Sequence, residues 1–171
     1  MSEDKKLTII ATKGTLDWAY PPFILASTAA ALGMQVSMFF TFYGLNLLLK
    51  DTSKLKVTPM ANPGMPMKMP YGPEWFKNID WGPKIPNLLW NTPFMDDIAT
   101  GLMKKTISDS GVASIDELRA ICQEAEVKFL ACQMTVDLFG HDPSLFIDGC
   151  EFVGAATYFN ESSDASQSLF I

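Results

Sequence analysis

Apolar positions fall into short runs separated by turn residues, and the runs change character in a regular order. Leu7 to Thr12 (LTIIAT) is rich in β-branched residues and reads as a strand. The turn Lys13-Gly14-Thr15 follows; Asp17 and Pro21-Pro22 then open a helix whose body, Phe23 to Leu32, is the Ala- and Leu-rich sequence of a buried helix. Gly33 stops it, and Gln35 to Tyr43 (QVSMFFTFY) is aromatic and β-branched like a central strand. Later, Ser114 and Glu117 make a capping box, with Ile115, Leu118, Ile121 and Cys122 at helical spacing. Val127 to Cys132 (VKFLAC) reads as a buried strand, Gln133 to Phe139 as a short helix stopped by Gly140, and Asp142-Pro143 as a turn. Cys150 to Val153, Ala155 to Ser162 and Ser168 to Ile171 supply a strand, a helix and a terminal strand. Strands alternating with helices predict a three-layer Rossmann-like or flavodoxin-like α/β fold with a mainly parallel sheet covered on both faces.

Two segments bend this pattern. From Trp18 to Leu49 there are 32 residues without Asp, Glu, Lys or Arg. About 20 consecutive apolar residues can span a bilayer, so a membrane-associated interaction module is the competing reading. Pro21-Pro22, Gly33 and Gly44 break the run into pieces that suit a helix and a strand of a soluble core. The second segment, Pro59 to Pro93, holds eight of the eleven prolines and three of the four tryptophans (Trp75, Trp81, Trp90), with Met60, Met65, Met67 and Met69. Regular helix or strand is excluded there. The expectation is one domain over residues 1–171 with residues 59–95 as an insertion, either folded on its own domain or serving as a lid or contact surface.

Composition narrows the function. The chain has 171 residues, 48% of them hydrophobic, with 19 acidic against 13 basic residues and a formal charge of -6. That excludes disorder and disfavours a nucleic-acid partner, because a phosphate backbone would be repelled. Cys122, Cys132 and Cys150 form no CxxC, and His141 is the only histidine, so neither a structural zinc site nor a Cys-His-Asn nucleophile set can be assembled. No cofactor or metal is implied. The start, MSEDKK, lacks an export-signal pattern, and with an odd cysteine count it points to a reducing cytoplasm.

In an open parallel sheet, ligands bind at the carboxyl ends of the strands. Two loops qualify. Lys13, Gly14 and Thr15 stand at a helix entrance, where an anion could be held, although a tight turn also accounts for them. Cys132 stands at the end of VKFLAC and the start of QMTVDLFG, where a helix amino terminus favours the nucleophilic thiolate; a buried, inert cysteine is the plain alternative. Cys122 reads as core and His141 as a turn residue. Cys150 stays open, and it would meet Cys132 if their loops shared an edge.

Taken together, KKLTIIATKGTLDWAYPPFILASTAAALG, FFTFYGLNLL, the Met-rich insertion, ACQMTVDLFG and the closing ATYF and SLFI resemble the DsrE/DsrF-like sulfur-transfer family, in its DsrE-type branch with KGTLD, FFTFxG and ACxM patterns. Some members of that branch are described as membrane-associated or as peroxiredoxin-family proteins; this sequence shows no independent peroxide-reducing site. The resemblance implies a Rossmann-like homo-oligomer in which a cysteine, here Cys132, carries sulfane sulfur as persulfide or thiosulfonate. Cys150 corresponds to a second thiol found in part of the branch. Implied partners are TusA-like carriers and rhodanese-like donors, in a Dsr-type or heterodisulfide-reductase-like system. Lys13, Gly14, Thr15, Gln133 and Thr135 are the candidates to stabilise the bound anion.

Overall fold

The computed structural model describes residues 5–58, 68–69, 71–81, 84 and 95–171. The chain divides into two compact units, Met1–Leu55 with Ile115–Ile171, and Lys56–Ser114. The first contains the sheet: β1 Lys6–Ala11, β2 Gln35–Phe40, β3 Lys128–Cys132, β4 Cys150–Val153 and β5 Gln167–Phe170, in the order β4-β3-β2-β1-β5. Every pairing is parallel, as strands joined through helical crossovers require.

Register assigns each side chain to a face. Leu7, Ile9 and Ala11 lie beside Val36, Met38 and Phe40, and Met38 and Phe40 lie beside Phe129 and Ala131. Helix α1, Leu16–Ala31, and the helix Ile115–Glu124 lie together against the unit's interior. Phe23 of α1 meets Phe40 and Phe129 at ring-centroid distances of 5.9 and 6.0 Å. Cys122, fully buried, donates its thiol to the Phe23 carbonyl at 3.7 Å, so it is core. On the opposite face, Phe39, Leu130 and Cys132 pack with Tyr158 from the helix Ala155–Ser162. This division follows from right-handed crossovers: the connections β1 to β2 and β2 to β3 step across the sheet one way, and β4 to β5 returns the other way.

The helices Gln133–Phe139 and Ala155–Ser162 have the bounds the sequence predicts. Strands β1, β3 and β5 lie within one residue of the predicted bounds, and two elements differ in kind. Helix α1 begins at Leu16, with Pro21 and Pro22 inside it rather than opening it. Burial of Leu16 and Ala19 holds the first turns together and offsets the amide bonds the prolines remove. Strand β2 stops at Phe40 instead of Tyr43, because the backbone turns at Phe42, whose φ of 48° is left-handed, and continues as 3-10 turns over Phe42–Leu48. The uncharged run is thus divided among α1, β2 and these turns. Among the described residues no helix is long and apolar enough to cross a membrane.

Arg119 ties the 3-10 segment down. Its buried guanidinium donates to the Leu47 carbonyl at 3.2 Å and the Leu49 carbonyl at 2.6 Å, and it pairs with Asp116. Arg119→Met is expected to leave both carbonyls unpartnered and cost about 3 kcal/mol, measured by urea unfolding. A wild-type midpoint would show that the segment is held by other contacts.

The second unit contains the helix Met95–Asp109, for which the sequence pattern makes no prediction. Lys56 pairs with Asp96 and Asp97 at 3.0 and 2.7 Å in its acidic first turn, and the Val57 amide donates to Thr100 Oγ1 at 2.9 Å. A single helical turn, Glu74–Lys77, forms within the stretch where regular helix was excluded, and it sets Trp75 edge-on to Phe76 and Phe76 at a tilt to Trp81, the latter at 5.2 Å. Met60, Met65, Met67 and Trp90 of the expected insertion lie outside the described residues.

Candidate functional site

Cys132 ends β3 and is the N-cap residue of the helix Gln133–Phe139, in an extended conformation with φ -66° and ψ 106°. An N-cap side chain faces the amides of the second and third helical residues, here Met134 and Thr135. The thiol therefore occupies the place a serine or aspartate oxygen usually takes. It closes no regular capping bond, so the donors act on it at longer range.

Burial alone would push this thiol up, since the residue is only 4% exposed. Donors from the Thr135 hydroxyl and amide, the Thr41 hydroxyl and the Met134 amide outweigh that and hold Cys132 below the ordinary thiol value. The other two cysteines go the opposite way. Burial pushes Cys122 up to about 11. Burial, with the charge of Glu151 and against an Ala131 amide bond, pushes Cys150 up to about 12.

The sheet separates Cys132 from Cys150. Cys150 lies beside Phe129, whereas Cys132 lies beside Val153, three residues further along. Three steps correspond to about 10 Å along the strands, and an odd step also reverses the face. A disulfide needs Cα atoms within about 7 Å, so these residues neither share an edge nor can bridge in this fold. Near neutral pH, iodoacetamide is expected to modify Cys132 ahead of Cys122 and Cys150, and Cys150→Ser to leave sulfur uptake unchanged. Peptide mapping checks the first and intact mass the second; loss of uptake in Cys150→Ser would give that thiol a direct part.

Lys13, Gly14 and Thr15 follow β1, with β2 lying between them and β3. Lys13 Nζ sits 3.0 Å from the centre of the Trp18 ring, a cation–π contact. Thr15 is the N-cap of α1, and its hydroxyl is buried without a partner. Gly14 faces the Tyr43 carbonyl so closely that a Cβ would collide with it, and Gly44 faces the Ala11 carbonyl in the same way. The two glycines let the loops after β1 and β2 interlock. Gln133, another expected donor, directs its amide to Asp137 at 2.7 Å.

Thr135 is fully buried, and its hydroxyl lies 3.1 Å from that of Thr41, the residue just beyond β2. The Phe42 amide also donates to Thr135 Oγ1, at 3.5 Å. Thr41 is the participant that sequence reasoning missed; its signal was a hydroxyl at a strand's carboxyl end, inside FFTFYG. His141 lies beyond this centre in the turn after Gly140, its ring between Phe139 and Phe146 at 5.9 Å from each. Among the described residues no His, Cys, Asp or Glu cluster could hold a metal. Phe42, Tyr43, Met134 and Leu138 are exposed on the same two connections, after β2 and after β3.

Fold and site define a parallel-sheet α/β protein with a thiolate-favouring cysteine at the carboxyl edge of a central strand. Residues 3–170 match the DsrE/DsrF/DrsH-like family, and the chain belongs to it. It is 56% identical over 169 residues to "Sulfur carrier protein DsrE2" of Allochromatium vinosum, covering 99% of each chain. It is 30% identical over 170 residues to "Uncharacterized protein YrkE" of Bacillus subtilis, covering 99% of this chain and 98% of that one. Among solved structures, the ychN protein from E. coli shares the fold, with a TM-score of 0.53 at 12% identity over 98% of this chain and 99% of that one.

Proposed function

We propose that this protein is a sulfur carrier that takes up sulfane sulfur on Cys132 and passes it between protein thiols. The observation that carries the reading is the place of Cys132, at the carboxyl end of β3 and the N-cap of the helix Gln133–Phe139, where it is the one cysteine of the three held below its ordinary value. Membership of the family and the likeness to a protein named a sulfur carrier support it.

The thiolate attacks the terminal sulfur of a donor persulfide, R–S–SH. A bond forms from Cys132 Sγ to that sulfur, the donor's S–S bond breaks, and the donor departs as R–S⁻. Cys132 then holds the sulfur as persulfide; with a donor R–S–S–SO3⁻, the same attack on the sulfur that bears the sulfonate, with R–S⁻ departing, loads Cys132 as the thiosulfonate. Neither step changes the number of electrons, so no cofactor is required. The exposed Phe42, Tyr43, Met134 and Leu138 supply apolar surface near the thiol for a partner or a second copy of the chain. TusA-like carriers and rhodanese-like donors are the partners this reading favours, in a Dsr-type or heterodisulfide-reductase-like system in the cytoplasm, with the carrier as a homo-oligomer.

The test is intact-protein mass after incubation with polysulfide. Wild type gains about 32 Da per sulfur, and Cys132→Ser gains nothing.

A further inference from the structure

We propose that Thr41, one strand away from the nucleophile, forms with Thr135 a two-hydroxyl clamp on Cys132 Sγ that stabilises this sulfur as the leaving group when its cargo is handed on. The inference rests on the reading of Cys132 as the carrier.

The geometry is set by the turn that ends β2. The Thr41 amide still bonds to the Ala11 carbonyl at 3.1 Å, and the Gly44 amide bonds back to the Thr41 carbonyl at 3.0 Å. Between them Phe42 takes its left-handed φ of 48°. This brings the Thr41 hydroxyl to 3.1 Å from that of Thr135 and directs the Phe42 amide at the Thr135 oxygen. A non-glycine residue in that conformation is uncommon and persists where the surroundings enforce it.

The donor inventory then favours the sulfur. Each threonine hydroxyl has one proton. One of these protons closes the 3.1 Å bond between the two hydroxyls and the other is left for Sγ; Thr135 Oγ1 also accepts from the Phe42 amide, so as charge develops on Sγ the bond between the hydroxyls can open and its proton turn to the sulfur as well. Phe40 pairs with Ala131, so Thr41 follows beside Cys132 in the parallel register, and Thr135 is the third residue of the helix that Cys132 caps. Charged and titratable groups on the surrounding elements are engaged otherwise. Lys128 pairs with Glu161, Asp137 accepts from Gln133, Tyr158 donates to Thr8, His141 packs between two phenylalanines, and Glu151 is exposed. Neutral donors therefore stabilise the sulfur.

In the release step an acceptor thiolate attacks the terminal sulfur of Cys132–S–SH. A bond forms between acceptor sulfur and terminal sulfur, and the bond from terminal sulfur to Sγ breaks with its electron pair left on Sγ. The acceptor departs as R–S–SH with the terminal proton retained, and no oxidant or reductant is consumed. A thiol of lower pKa leaves faster, so a clamp on Sγ accelerates donation.

Full-length Thr41→Val and Thr41→Ser proteins, loaded with polysulfide, test this by their rate of sulfur transfer to excess dithiothreitol and by the pH profile of Cys132 alkylation. Valine is expected to slow transfer about tenfold and move the profile to higher pH, with loading stoichiometry unchanged and serine restoring both. Thr41→Ala, which removes the same hydroxyl without the bulk of valine, should match valine. Wild-type transfer and titration in valine and alanine would overturn the clamp, as would a serine variant that behaves like valine, since packing alone would then explain the effect. Failure of the underlying reading shows elsewhere: Cys132→Ser would still take up sulfur.

Discussion

Cys132→Ser is expected to abolish sulfur uptake from polysulfide and leave the protein folded. The substitution exchanges sulfur for oxygen at a residue 4% exposed, and serine is itself a good N-cap, with a hydroxyl suited to the Met134 and Thr135 amides. The sheet register through β3 is untouched because it rests on backbone bonds. What disappears is a polarisable thiolate; a serine hydroxyl has no comparable ionisation near neutral pH and cannot attack a sulfane sulfur at a useful rate. Cys122 and Cys150 cannot substitute, since burial keeps both protonated. Wild-type uptake by the serine protein, with circular dichroism showing it folded, would remove Cys132 from the reaction.

Gly44→Ala is expected to destabilise the fold by about 4 kcal/mol or more and to raise the pH at which Cys132 alkylates. The new Cβ would overlap the Ala11 carbonyl oxygen and stand 2.8 Å from its carbon and 3.2 Å from the Thr12 amide nitrogen. All three are backbone atoms of the β1 end, so no side-chain rotation relieves the clash. Moving the turn breaks the bonds from the Gly44 amide to the carbonyls of Thr12 and Thr41, both 3.0 Å. Thr41 and the Phe42 amide would move with it, and Cys132 would lose part of its stabilisation. Urea unfolding and alkylation rates check both effects. A stable variant with wild-type alkylation would show that the interlocked loops do not govern the thiol.

Much of the architecture was legible because it is written in local grammar. Gly140 takes the left-handed φ of 64° expected of a helix stop, and the apolar VKFLAC run became a buried strand ending in Cys132. Boundaries failed where long-range contacts overrode local preference. Buried Leu16 and Ala19 carry α1 back past two prolines, and the interlocking of the Gly14 and Gly44 loops ends β2 before Tyr43.

The candidate site was half legible. Cys132 stands out from its place between a strand and a helix, a relation of neighbours in sequence. Thr135, three residues on, follows from helix geometry. Thr41 lies 91 residues before Cys132, and its hydroxyl becomes relevant only when β2 pairs with β3. Gly14 reads as a turn residue or an anion cradle, and the carbonyl that fills the space of its missing side chain belongs to Tyr43, in the loop after the next strand.

By itself the sequence determined the alternation of strands and helices, the parallel sheet and the thiol at a strand's carboxyl end, because these depend on periodicity and on residues close along the chain. Only the tertiary structure decided which donors surround that thiol and that Cys150 lies three residues along and on the other face. Strand register and loop packing set those relations, and both arise from contacts between segments whose separation in sequence carries no record of their distance in space.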